Sequence, residues 1–433
     1  MSLKIEDLFK LLKKYNIEEL EGVKIEGDIE IEMEVGSSIL PIIQALAQEL
    51  GMAAYHLARA SKILGYPVEQ LFTEFVELPK EVKPEKAKPE VEELVRVEFK
   101  PYKVNYPGKI NEVQLGATPK EGGTRKYSIK VGGERSLPFY LFDAEQKNLP
   151  VVTVDVFDRP VPFPKAVREH YEDVMNDPAE WARKVVREFG ADMVTIHLIS
   201  TDPLLDDTPI HEAVKVVEDV LQAVKCPIVV GGSGNKEKDP PLLEKVAEVA
   251  EGERVLLASA TLDNDWERIA NAAKKYNQVV LAWTQLDINA QKTLNRYLLK
   301  RVGLPENSLV MDPTTAPLGY GIDYAFSNME RIRIAALKGD ADLAFPISSG
   351  TTNAWGAREA WMKESPISGD TSWGPRELRG PLWEILTGLT LALAGVDIFM
   401  MLHPASVAVL KEVISMLGGK VKESVDKDWL VVT

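Results

Sequence analysis

The feature that most constrains this chain is an eightfold alternation of strand-like and helix-like segments between residues 151 and 417. The strand-like runs are VVTVDV at 151–156, DMVTIHL at 192–198, PIVV at 227–230, RVLLAS at 254–259, QVVLAW at 278–283, SLVM at 308–311, LAFP at 343–346 and DIFMML at 397–402. Each is short, aliphatic or β-branched, and nearly continuous in its apolarity, as a strand covered on both faces must be. Amphipathic stretches separate and follow them at 179–189, 212–224, 242–250, 266–276, 291–302, 324–337, 383–394 and 406–417. Eight such units in series close a parallel barrel, so the expected fold class is α/β, a (β/α)8 TIM barrel. A barrel of this kind carries its chemistry at the carboxyl ends of its strands. Function is therefore to be sought in the residues that follow each run.

A barrel needs roughly 250 residues, and the chain has 433. Residues 1–78 read as a small α-rich module, with helical periodicity at 5–14 and 40–64 around an alternating stretch from Lys24. Its apolar helix faces predict docking onto another subunit. Repeated Pro and charge make 79–100 a stiff, extended linker. The barrel is expected at 101–420, preceded by a β-hairpin, with 421–433 as a tail. The hairpin reads from VQLGAT at 113–118, a break at Gly122 and Gly123, and YSIKV at 127–131. Its place just before the first barrel strand predicts a plug for the barrel floor.

A net charge of -15, from 66 acidic against 51 basic residues, argues against a nucleic-acid partner, which would call for clustered positive charge. The single cysteine, Cys226, cannot form an internal disulfide or hold an iron–sulfur cluster alone. No apolar run reaches the roughly 18 residues of a membrane span, and no signal-peptide pattern opens the chain, so a cytoplasmic protein without a membrane partner is expected.

The strand ends supply mostly neutral polar groups, with Asp158, Asn235, Asp287 and Asp312 among them. His197 and His403 read as core or rim histidines rather than ligands of a catalytic metal, which would need a clustered set. GGSGN at 231–235 reads as a tight turn in preference to a phosphate cradle. DPTT at 312–315 admits two readings: a turn and helix cap, or a carboxylate and hydroxyls that bind an amide-bearing or pterin-like ligand. The loop from Ser348 to about Pro381, with Trp355, Trp361 and Trp373, is far longer than usual for such units and reads as a lid or docking surface.

Several stretches together resemble the delta-subunit family of the archaeal acetyl-CoA decarbonylase/synthase complex, the counterpart of the small subunit of the corrinoid iron–sulfur protein. They are TIHLISTDP at 195–203, GGSGN at 231–235, WTQLD at 283–287, MDPTT at 311–315, SNMERIR at 327–333, SSGTTNAWGARE at 348–359 and WGPRE at 373–377. The resemblance implies a non-catalytic subunit paired with a larger gamma subunit and assembled with the other subunits of the complex. It implies a cobalamin-type corrinoid shared at that interface, no iron–sulfur cluster and no metal site in this chain, and a role in methyl transfer between a tetrahydropterin carrier and acetyl-CoA synthase. The expected cofactor-binding residues are Asp312, Thr314, Thr315, Ser348, Ser349, Thr351, Thr352 and Asn353, whose largely neutral groups suit the amide side chains of a corrin. The alternatives are a pterin-binding TIM-barrel methyltransferase acting on its own, through Asp158, Asn235 and Asp312, and a scaffold that maintains the complex.

Overall fold

The computed structural model describes residues 102–370 and 372–420. The module expected at 1–78, the linker at 79–100 and the tail at 421–433 lie outside the described residues. Two short strands come first, β1 (Val113–Leu115) and β2 (Ile129–Val131), paired antiparallel with Val113 opposite Val131. Eight parallel strands follow: β3 (Val151–Phe157), β4 (Met193–His197), β5 (Ile228–Gly231), β6 (Leu256–Ala260), β7 (Val279–Trp283), β8 (Leu309–Asp312), β9 (Ser348–Gly350) and β10 (Ile398–Met401). The main helices alternate with them: α1 (Pro178–Arg187), α2 (Ile210–Ala223), α3 (Asp239–Val249), α4 (Trp266–Lys275), α5 (Ile288–Arg296), α6 (Ile322–Leu337), α7 (Arg376–Ala394) and α8 (Pro404–Leu417).

The sheet order β8-β7-β6-β5-β4-β3-β10-β9 leaves β8 and β9 at its margins. These margins meet, because Met311 bridges in parallel to Ile347 and its N–H donates to the Pro346 carbonyl at 2.8 Å. The sheet thus closes into the expected barrel. No helix among the described residues is long and apolar enough to cross a membrane.

The seventh barrel strand differs from its expected place. It is Ser348–Gly350, and LAFP at 343–346 instead begins at the end of a one-turn helix, Ala341–Leu343. Pro346 has no N–H to give to a ladder. Asp397 fixes the next residue: its carboxylate accepts the Ile347 N–H at 2.8 Å, and its own N–H donates to the Ile347 carbonyl at 2.7 Å. Pairing with β10 therefore starts at Ser348, opposite Ile398. Helix α7 also begins earlier than the expected 383, because Pro381 lies inside it. The carbonyl that Pro381 leaves unbonded is that of Glu377, an exposed residue in the first turn, where water can satisfy it.

Alternate strand residues separate two apolar layers. Outward residues such as Val152, Val154, Ile196 and Phe399 pack under the helices. Inside, Met193, Val229, Leu256, Val279, Val310 and Ile398 pack against Val113, Leu115 and Val131 of the hairpin. The hairpin is thus the floor of the barrel. Arg125, buried in the hairpin loop, fastens it: Nε donates to Glu253 at 2.7 Å, and the other nitrogens donate to the Leu221 and Val224 carbonyls, each at 2.7 Å. With the floor sealed by apolar side chains, the open end lies at the carboxyl termini of the strands.

Candidate functional site at the barrel mouth

Asp155 is the one acidic residue inside β3, and it is almost fully buried. A carboxylate in that position needs partners. One oxygen accepts the Thr352 hydroxyl, which reaches over from the segment after β9 and also lies 3.1 Å from the Met400 carbonyl. The other oxygen is 3.1 Å from His197 Nε2 at the end of β4, yet the contact is off the hydrogen-bonding direction and both atoms lack another partner. Sequence reasoning missed Asp155. A lone carboxylate within an otherwise apolar, doubly covered strand was the available signal.

On the opposite side of the mouth, Asp312 ends β8. Burial pushes its carboxyl up to about 7, opposed by one hydrogen bond from the Thr314 N–H at 3.0 Å. Thr314 has φ +70°, a left-handed conformation that strains a β-branched residue by about 1 to 3 kcal/mol. Its hydroxyl donates to the Thr284 carbonyl at 2.7 Å, which holds the turn. Behind it, the hydroxyls of Thr315, Ser349 and Thr351 form a buried chain with spacings of 2.8 and 2.9 Å. Asn353 Nδ2 donates to the Thr315 carbonyl at 3.0 Å.

Apart from Asp312, buried at the end of β8, the expected residues fall into tiers. Thr314, Thr352 and Asn353 retain exposed surface, whereas Thr315, Ser349 and Thr351 brace them from within. Ser348 is deeper, in register with Ile398 of the inner core, and its Oγ has no partner.

Other strand-end groups are committed to the fold. The Asp239 carboxylate accepts the N–H groups of Ser233 at 3.0 Å and Gly234 at 2.8 Å, so the GGSGN turn already wraps an anion belonging to its own helix. A Cβ at Gly232 would lie 2.2 Å from that carboxylate. Asp158 accepts the Ser200 N–H and hydroxyl, and Asn235 Oδ1 accepts the Glu237 and Lys238 N–H groups. Asp287 caps α5 through the Asn289 and Ala290 N–H groups. His403 caps α8 by accepting the Ala405 N–H at 3.1 Å, and burial pushes its pKa down to about 3. Among the described residues, no group of three or more His, Cys, Asp or Glu side chains is placed to hold a metal ion.

The long loop after β9 is partly core and partly surface. Trp355 is buried, stacks beside His403 with ring centroids 5.8 Å apart, and lies over Gly380, where a Cβ would meet its ring at 2.1 Å. Trp373 lies under the Arg379 guanidinium, 5.0 Å from the ring centroid. Trp361 stays exposed. So do Leu204, Leu262, Leu286, Tyr320 and Ile367, all on loops at the carboxyl ends of strands. Apolar groups at five loops of one face form the kind of rim that a partner covers.

A profile of the family described as CO dehydrogenase/acetyl-CoA synthase delta subunit matches residues 112–364. The chain is 66% identical over 437 positions to the acetyl-CoA decarbonylase/synthase complex subunit delta of Archaeoglobus fulgidus, with 97% of this chain and 96% of that one covered. It is 54% identical over 433 positions to subunit delta 1 of the same complex in Methanosarcina thermophila, covering 99% and 98%. Among solved structures, the dihydropteroate synthase of Stenotrophomonas maltophilia matches with a TM-score of 0.44 at 13% identity, over 63% of this chain and 95% of that one, a likeness too loose to bear on ligand or chemistry. The profile match over more than half of the chain, together with these identities along nearly all of it, establishes that the chain belongs to the CO dehydrogenase/acetyl-CoA synthase delta subunit family.

Proposed function

We propose that this chain is a non-catalytic subunit that pairs with a larger gamma subunit in the cytoplasm and closes one side of a corrinoid site at its barrel mouth. When bound, the corrinoid supplies the methyl carrier between a tetrahydropterin and acetyl-CoA synthase, in reversible synthesis or cleavage of acetyl-CoA. The iron–sulfur cluster belongs to the partner in this reading, and the chain also helps to maintain the quaternary structure of the complex. Besides family membership, the observation that carries the proposal is the composition of the mouth. Hydroxyls and an amide stand beside the buried carboxyls of Asp155 and Asp312, and exposed apolar groups lie on the loops around them, which fits a large, flat, amide-bearing group covered by another protein.

The proposed cofactor-binding residues are Asp312, Thr314, Thr315, Ser348, Ser349, Thr351, Thr352 and Asn353. Thr352 and Asn353 meet the ligand, and the buried hydroxyls hold their loop in place. A lone pterin methyltransferase receives less support, because two of the three residues it would need, Asp158 and Asn235, already spend their oxygens on loop and helix caps. Copurification with the gamma subunit and absorption spectroscopy test the proposal. The isolated chain should be colourless and the heterodimer should retain corrinoid. Replacing Thr352 and Asn353 together by Ala should weaken that retention by about 1 to 3 kcal/mol. Unchanged retention in a folded double variant would remove these residues from the site, and corrinoid held by the isolated chain would sink the shared-site reading.

A further inference from the structure

His197 is not a satisfied rim histidine. Its side chain is 26% exposed and its ring stacks on Phe157, with centroids 4.8 Å apart and planes 20° from parallel. Nε2 is buried 3.1 Å from Asp155 Oδ1, out of line for a hydrogen bond, and both atoms lack another partner. Nδ1 lies on the side of Gly231, where an added Cβ would sit 3.5 Å from it. The glycine keeps that nitrogen uncovered, and Nδ1 has no hydrogen-bond partner among the described residues.

A carboxylate offers only lone pairs. A lone pair on Nε2 would stand 3.1 Å from the carboxylate oxygen and be repelled by it, whereas an N–H dipole there is attracted even out of line. The neutral ring therefore carries its hydrogen on Nε2 and leaves the lone pair on Nδ1. We propose that Asp155 fixes the tautomer of His197 so that Nδ1 is presented at the mouth as a hydrogen-bond acceptor for a primary-amide N–H of the bound ligand. The inference rests on the reading above, in which the ligand carries carboxamide side chains. His197 is then a ligand contact and Asp155 a positioning residue. Because Asp155 also accepts the Thr352 hydroxyl, it sets the acceptor on β4 and the hydroxyl after β9 in one arrangement.

Two measurements test this. In the full chain labelled with 15N-histidine, long-range proton–nitrogen correlation reads the tautomer of each of the five histidines, and His197→Phe assigns the relevant signal by its loss. Hydrogen on Nε2 is expected in the parent protein. In Asp155→Asn the amide oxygen still accepts from Thr352, the positive end of the amide NH2 faces Nε2 in place of the carboxylate, and the hydrogen should move to Nδ1. Corrinoid retention by the heterodimer is the second readout. His197→Phe keeps the stacking and Asp155→Asn inverts the acceptor, so each should lower retention about three- to ten-fold at an unchanged melting temperature. Hydrogen on Nδ1 in the parent protein, or retention within about two-fold of the parent in both folded variants, would overturn the inference. A parent heterodimer that holds no corrinoid would instead defeat the functional reading and this ligand assignment with it, while the tautomer result stood by itself.

Discussion

Replacing Arg333 by Met is expected to lower the unfolding free energy by about 3 to 5 kcal/mol. Arg333 lies on α6 and is buried, with Nη1 donating to Glu134 at 3.1 Å and Nη2 donating to Asp397 at 2.7 Å and to the Gly395 carbonyl. Asp397 in turn fixes Ile347 at the entry to β9, and Glu134 follows the hairpin. One guanidinium therefore ties the floor, the barrel seam and a helix together. Burial and the neighbouring Asp397 push Glu134 up to about 8 even against the pull of Arg333, so near neutral pH Glu134 already holds a proton. Without the guanidinium it is the buried charge of Asp397 that stands uncompensated. Adding Glu134→Gln and Asp397→Asn to the Met variant should recover much of the loss, since the remaining polar groups are then neutral. Urea unfolding of the single and triple variants reads both effects. A loss below about 1 kcal/mol in the single variant would show that the buried charges are not held as described.

Asp312→Asn should act in the opposite direction. In the folded chain the Asp312 carboxyl is pushed up to about 7 by burial, whereas in an unfolded chain it titrates near 3.9. Between those values the native state holds a proton that the unfolded state has released. Native stability from this group is complete below about pH 4 and is lost as pH rises through 7. Asn keeps the acceptor for the Thr314 N–H and has no such loss. The variant should gain on the parent steadily from pH 4 to 7 and be more stable at pH 8 by on the order of 2 to 4 kcal/mol. Glu384, raised to about 7, and His403, lowered to about 3, add slopes of their own in both proteins alike. The difference between the two melting curves thus isolates Asp312. A pH-independent difference would contradict the burial of a titrating carboxyl there. A carboxylate that lowers stability at the mouth of a barrel is the kind of group that binding retains.

The barrel was legible because seven of its eight strands are apolar on both faces, and that pattern has few other solutions. The seventh strand was not, since Ser348, Ser349 and Gly350 carry no strand signal of their own. Their place is dictated by Asp397, some fifty residues away, whose carboxylate and N–H engage Ile347. The start of α7 was hidden by Pro381, whose unbonded partner lies in the exposed first turn. The motifs MDPTT and SSGTTN lie at the carboxyl ends of β8 and β9 as their sequence positions imply, but do not tell which hydroxyls face outward. That division depends on the chain from Thr315 through Ser349 to Thr351, and so on contacts between separate strand ends. His197 reads from sequence only as a core or rim histidine and Asp155 is passed over, since only the register of β3 with β4 and the reach of Thr352 bring them together.

Hydrogen exchange on the chain alone and in its heterodimer with corrinoid-loaded gamma subunit tests the central claim most directly. Protection should appear in the loops at the carboxyl ends of the strands, around Leu204, Tyr320 and the segment 351–367, with the hairpin floor at 113–131 unchanged. Protection confined to the floor or to the outer helices, with the mouth exchanging as in the free chain, would contradict it.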